Sequence, residues 1–174
     1  MRSLLWLVAF VALVGTGGVG IALIRNAPPW SEPPGFSARL QAYLTTHVAE
    51  TIEESQFPEL RPRHYDEVPP DHLYGVIDQV ASHMPNWEVI ERNPSLRIIK
   101  VVASTPVIGF RDDVSMRVVP AADKRGSILF VASESRVGRG DLGSNTRHLL
   151  DLYAALDTVV PPPPTAYKPP RNPS

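Results

Sequence analysis

Between Arg2 and Arg25 the chain carries no charge, and Leu4 to Ile24 is one continuous run of apolar and small residues. A helix needs about 20 such residues to cross the hydrocarbon of a bilayer, so this run is long enough to span one. It predicts a membrane anchor over residues 1–26, and whatever folds next is then tethered to a lipid surface. A cleaved signal peptide is the competing reading, since it also begins basic and then apolar, and Gly15 to Gly20 could close its apolar region. No small-x-small site with alanines follows, and apolarity resumes through Ile21 to Ile24, which favours the uncleaved anchor. Arg2 and the α-amino group on one side nearly balance Arg25 and Arg39 on the other. The shortness of the leading tail then decides the orientation. The expectation is a single pass in the cytoplasmic membrane with the remainder on the periplasmic or outer side.

Residues 27–35 carry Pro28, Pro29, Pro33 and Pro34, and prolines hold a chain extended, so this segment reads as a stiff spacer lifting a domain off the bilayer. Trp30 is suited to the headgroup level. From Phe36 to Glu54 the apolar positions Phe36, Leu40, Tyr43, Leu44, Val48 and Ile52 recur at steps of three and four, which predicts one amphipathic helix over 36–54. Its apolar face is expected to pack on the domain, with the membrane or a protein partner as alternatives.

The segment 55–158 predicts a single α+β domain. Asp71 stands where a helix cap would, and Leu73, Val76, Ile77 and Val80 form a stripe running to about His83. Strand composition follows over 87–91, 96–104, 113–120 and 127–137, with short turns between, which implies a four-stranded antiparallel meander. Alternation sets Val114, Met116, Val118, Leu129, Val131 and Val137 against Asp113, Ser115, Arg117, Ile128, Phe130 and Arg136. Leu149, Leu152, Tyr153 and Leu156 mark a last helix, and residues 159–174 read as a disordered, proline-rich tail. Helices packed on one antiparallel sheet are the expected architecture.

Lys and Arg together number 17 against 18 Asp and Glu, so there is no surplus of positive charge to hold a phosphate backbone, and nucleic acid is not an expected partner. The absence of cysteine removes disulfides, thiolate nucleophiles and Cys-based metal sites. Gly138-Arg139-Gly140-Asp141-Leu142-Gly143 has the glycine spacing of a dinucleotide loop. That fingerprint requires a further strand and an acidic residue about 20 positions on, whereas here the helix runs into Pro161 to Pro164. A weaker anion site remains, in which amides opening the last helix act with Arg136 and Arg139. The plainer alternative is a tight strand-to-helix turn whose charges pair with one another.

Asp112 and Asp113 are adjacent in a strand and so point to opposite faces, which argues against a shared two-carboxylate site. An ion pair between one of them and Arg136 or Arg139 is the expected alternative. His64, Asp66, Glu67, Asp71 and His72 supply metal-ligand types, but two prolines interrupt them and no helical histidine pair occurs, so a solvated loop is expected. No catalytic constellation and no cofactor motif is recognisable.

Two stretches carry a resemblance. Ile108-Gly109-Phe110-Arg111-Asp112-Asp113-Val114 and Ser135-Arg136-Val137-Gly138-Arg139-Gly140-Asp141-Leu142-Gly143-Ser144-Asn145 together resemble domain-of-unknown-function family 1499. That family shows a Gly-Phe-x-Asp-Asp-Val turn, then a strand ending Ser-Arg-Val-Gly-x-x-Asp-x-Gly-x-Asn, then a helix with Arg-Arg-Ile. The resemblance covers roughly Phe57 to Leu156. Here Arg147 is followed by His148 rather than a second Arg, and the Pro-Asn-Cys-Val-Ser segment of many members is absent. What the resemblance implies is a bacterial domain, often membrane-associated or exported, with no established activity.

The residues singled out are therefore Asp112, Asp113, Arg136, Arg139, Asp141, Asn145 and Arg147, as a contact or structural motif and not as a catalytic one. The leading expectation is a non-catalytic domain that binds a small molecule, a lipid or a protein at the membrane. An assembly factor working through 36–54 is the alternative, and an envelope hydrolase using Asp112, Asp113 and histidines stands last.

Overall fold

The computed structural model describes residues 18–105, 109–122 and 125–160. Residues 18–26 are helical; most of the expected anchor, 1–17, lies outside the described residues, as does the tail from 161 onward. Among the described residues no helix is long and apolar enough to cross a membrane.

The elements run α1 (Phe36–Thr45), β1 (Val48–Glu50), a 3₁₀ turn (Pro58–Leu60), β2 (Arg63–Tyr65), α2 (Pro70–His83), β3 (Trp87–Asn93), β4 (Ile98–Ser104), β5 (Arg111–Pro120), β6 (Ser127–Ser135) and α3 (Ser144–Leu156). The expected meander is present: β3, β4, β5 and β6 are consecutive antiparallel neighbours. Two short strands extend the sheet to six, because β1 pairs with residues 132–134 of β6 and β2 with residues 127–129, so both share the free edge of β6.

Alternation decides which face is core. On β5, Asp112, Val114, Met116 and Val118 point inward, and on β6, Ser127, Leu129, Val131 and Ser133 do. Onto this face α2 presents Leu73, Ile77 and Ala81, and α3 presents Leu149, Leu152, Tyr153 and Leu156. Each fully buried Leu or Ile contributes about 1.5–3 kcal/mol, which makes this layer the main source of stability.

Four expectations are corrected. The helix predicted over 36–54 stops at Thr45: Thr46 is extended, and Val48–Glu50 form β1 with Ala49 buried and Val48 and Ile52 exposed. The three-and-four spacing is local, whereas the open edge of β6 offers backbone partners to a segment rich in β-branched residues, and that tertiary pairing prevails. The proline segment does not stand off as a spacer, since Pro28 and Pro29 are buried and Arg39 donates to the Glu32 and Pro33 carbonyls at 3.0 and 2.5 Å. Asp71 is not a cap: Pro69 holds that place and Pro70 opens α2, where a missing N–H costs nothing, while Asp71 pairs with Arg97 at 2.6 Å. Finally, Val137 is exposed and not in the core, because β6 ends at Ser135.

A buried ion pair ties α1 to the 3₁₀ turn. Arg39, which the sequence places among the charges flanking the anchor, is wholly buried; its Nη1 reaches Glu59 Oε1 at 2.5 Å and the Tyr43 hydroxyl at 3.0 Å, and its Nη2 reaches Glu59 Oε2 at 3.1 Å. At the other end of the domain Arg63 bridges β2 to Asp157 after α3 and stacks over the Tyr153 ring at 4.1 Å.

Candidate functional site

The singled-out residues do not form one cluster: Asp113 and Arg136 meet on the outer side of the sheet, Asp112 and Asn145 lie on the inner side, Asp141 and exposed Arg139 are in the loop before α3, and Arg147 is on α3. Asp112 and Asp113 do point to opposite faces. Asp113 lies on the outer face and receives two hydrogen bonds from Arg136, at 2.9 and 2.6 Å, which hold its carboxyl below the usual carboxylate range. Arg136 is thereby committed to an ion pair. Arg147 is committed likewise, to Asp151 one helical turn on.

The loop 138–143 is a packing device. The glycines at 138 and 143 take positive φ, 103° and 82°, where other residues are strained. Gly140 needs its missing side chain for a different reason: a Cβ there would stand 2.4 Å from the Leu44 carbonyl oxygen and 2.8 Å from that of Tyr43. This approach lets the amides of Asp141 and Leu142 donate to the Thr46 and Tyr43 carbonyls at 3.0 and 2.9 Å, closing the end of α1. The anion expected at the start of α3 belongs to the chain itself. Asp141 accepts from the amides of Gly143 at 2.8 Å and Asn145 at 3.2 Å, so the amides offered for an external anion are taken. Burial pushes the Asp141 carboxyl up and these amides pull it back.

On the inner face Asp112 and Asn145 enter a buried polar group with Ser133 and His148, a meeting that the sequence did not announce. Asn145 donates to the His47 carbonyl at 2.8 Å and to Ser135 Oγ at 2.9 Å, which turns its Oδ1 toward Ser133 Oγ at 2.6 Å. The Ser133 hydroxyl has one proton and gives it to Asn145, so the His148 Nδ1 at 3.2 Å is the donor to Ser133. Asp112 Oδ2 stands 3.7 Å from the same nitrogen and has no hydrogen bond of its own among the described residues. Serine, histidine and aspartate are the types of a nucleophilic triad. Here, however, both oxygens approach one ring nitrogen, whereas proton relay uses the two opposite nitrogens, and Ser133 is fully buried. Asp112 and His148 were individually visible in the sequence; their meeting depends on register, which sets Asp112 beside Ser135, and on α3 crossing β6.

Burial pushes the His148 imidazole below its ordinary 6.5, with Asp112 and Asp151 pulling it upward. The folded protein therefore binds this proton less readily than the unfolded chain. Stability is present in full at neutral pH and falls as pH drops through about 6.5 toward the lower folded value, where the loss levels off. Asp141, raised in the fold, acts oppositely, its cost being relieved as carboxyls protonate. Denaturant unfolding between pH 5 and 7.5 should show the decline, and His148→Gln should flatten it; an unchanged slope in that variant refutes the assignment.

The metal-ligand types of 64–72 do not come together: His64 faces Glu53 at 3.6 Å, Asp71 pairs with Arg97, and no group of three acidic or histidine residues able to hold a metal occurs among the described residues.

The outer face of the sheet is covered by neither α2 nor α3. It bears a groove of about 350 Å³ whose lining includes Ile98, Lys100, Ser115, Arg117, Phe130 and Glu50. Register explains its form: the small pair Ser115 and Ala132 forms the floor, Lys100 neighbours Ser115 on one side, and Glu50 neighbours Ala132 on the other. The Arg117 guanidinium lies over the Phe130 ring at 5.7 Å, while Lys100 pairs with Glu91 at 2.8 Å.

These features define a small α+β domain with a six-stranded antiparallel sheet, two helices on one face and a grooved open face on the other. The family described as protein of unknown function (DUF1499) matches residues 27–156, and the chain belongs to it. The match begins well before Phe57, in keeping with the packing of Pro28, Pro29 and α1 as part of the domain. No curated protein matches the chain.

Proposed function

We propose that this protein is a non-catalytic ligand-binding domain held at the cytoplasmic membrane by residues 4–24, with the domain on the outer side. The observation that carries the binding reading is the groove on the uncovered sheet face, where cationic Arg117 adjoins apolar Phe130 and Ile98 over a small-residue floor, with Glu91-paired Lys100 on one side and Glu50 on the other. Such a surface suits a small molecule or lipid that joins an acidic group to an apolar part. The membrane reading is supported by the uncharged length of 4–24. The non-catalytic reading is supported by the geometry of Ser133, His148 and Asp112: the buried Ser133 hydroxyl is spent on Asn145, and Ser133 and Asp112 approach the same ring nitrogen of His148.

Native mass spectrometry of the full chain, gently extracted from its own membrane, tests this. The expected result is a co-purifying acidic molecule that Ser115→Trp, by filling the groove, removes without lowering the thermal midpoint. Retention of the molecule in that variant would disprove the groove as its site. A bare monomer, or a defined complex with another protein, would replace this reading with that of an assembly factor.

A further inference from the structure

The anchor and the domain are not joined by a free linker. Asn26 Nδ2 donates to the Leu142 carbonyl at 2.9 Å, Pro28 and Pro29 are buried, and Pro28 lies 3.5 Å from where a Cβ on Gly143 would stand. Two residues past the apolar run, the chain is already fastened to the 138–143 loop, so the end of the domain built from that loop and α1 is fixed next to the place where the run ends. This end carries large apolar side chains on its surface: Phe36 is 59% exposed, Leu44 45% and Val137 73%. Trp30 packs against Phe36 with tilted rings whose centroids are 5.1 Å apart and edge-on against Tyr43 at 5.6 Å, and tryptophan is a residue type suited to a headgroup layer.

The charges at this end are sorted as well. Arg39 is consumed by Glu59 and Arg136 by Asp113. Arg25 and Arg139 are exposed and have no carboxylate partner among the described residues; they lie next to Asn26 and three residues before Leu142, the two partners of the fastening hydrogen bond. Exposed apolar side chains beside unpaired cations, held where a membrane span would emerge, match the chemistry of a bilayer interface with acidic headgroups.

We infer that the end of the domain formed by α1 and the 136–143 turn rests on the bilayer and takes anionic lipid headgroups between Arg25 and Arg139, an inference that rests on residues 4–24 spanning that bilayer. The groove on the outer sheet face is a separate surface. The far end of the sheet, at the β3–β4 turn with Leu96, points away from the membrane.

The cysteine-free chain permits a direct test. Full-length protein with a spin label at Phe36→Cys, Val137→Cys or Leu96→Cys is reconstituted in phosphatidylcholine vesicles with and without phosphatidylglycerol. Collision with oxygen is compared with collision with a water-soluble nickel chelate. The expected result is that labels at 36 and 137 are reached better by oxygen, more so with phosphatidylglycerol, while the label at 96 is reached better by the chelate. Arg139→Glu should return the 36 and 137 labels to water in the anionic vesicles. Labels at 36 and 137 as aqueous as that at 96, in protein that stays with the vesicles through an alkaline wash, overturn the docking and leave the anchor standing. Lipid contact indifferent to phosphatidylglycerol and to Arg139→Glu overturns the headgroup recognition. Protein washed off the vesicles overturns the anchor and the docking together.

Discussion

Arg39→Ala should destabilise the domain by about 3–5 kcal/mol, because it leaves the Glu59 carboxylate buried with neither its ion-pair partner nor water. The same substitution frees the Glu32 and Pro33 carbonyls and the Tyr43 hydroxyl, so the proline segment, α1 and the 3₁₀ turn lose their common tie. Replacing both partners with apolar residues, as in Arg39→Met with Glu59→Leu, should recover most of the loss, since the principal cost is the stranded charge. Thermal and denaturant unfolding of the full chain in mild detergent measures both. A single variant within 1 kcal/mol of the parent on the scale set by that cost would show that the pair is solvated.

The second large effect is expected at Gly140. Gly140→Ala places a Cβ within 2.4–2.8 Å of three backbone atoms of Tyr43 and Leu44, none of which can rotate away as a side-chain tip would. The loop must retreat, and the bonds from Asp141 to Thr46 and from Leu142 to Tyr43 lengthen with it. A loss of roughly 2–3 kcal/mol is expected, in the upper part of the range for overpacking. It should come without change in the Arg136–Asp113 pair, which joins the residue after β6 to β5 and not to α1. An alanine variant as stable as the parent would mean that the loop and α1 do not meet as closely as described.

This assigns the glycine pattern that invites a dinucleotide reading to architecture. Gly138 and Gly143 supply backbone angles, Gly140 supplies room, and Asp141 fills the anion position of α3 with its own carboxylate. Binding capacity is then sought on surfaces that the motif leaves free: the open sheet face with Arg117 and Phe130, and the end of the domain with Arg139.

Much of this was legible from residues alone, for a definite reason. The alternation of Val114, Met116 and Val118, and of Leu129 and Val131, is a period-two signal that any core-facing strand must carry, and the stripes of α2 and α3 are the period-3.6 equivalent. Consecutive strands with short turns left one plausible pairing order, and the motif 135–145 located the family. The opposition of Asp112 and Asp113 followed from the same alternation, whereas the ion pair expected of one of them with Arg136 or Arg139 was narrowed to Asp113 and Arg136 only by the structure.

What depended on distant partners was not legible. Val48 to Glu50 satisfy a helical period as well as a strand, and only the free edge of β6, more than 80 residues away, makes them β1. Arg39 reads like any basic residue near an anchor until Glu59 and two carbonyls enclose it. Asn145 and His148 stand out in the sequence singly, but only register and the crossing of α3 over β6 bring both within hydrogen-bond distance of Ser133, which the sequence does not mark. The sequence by itself determined the periodicities, the turns and the uncharged apolar run of 4–24, because these are properties of neighbouring residues. Tertiary structure alone decided which polar groups are buried, since the free energy of a buried charge or hydroxyl is set by the partner it meets across the fold.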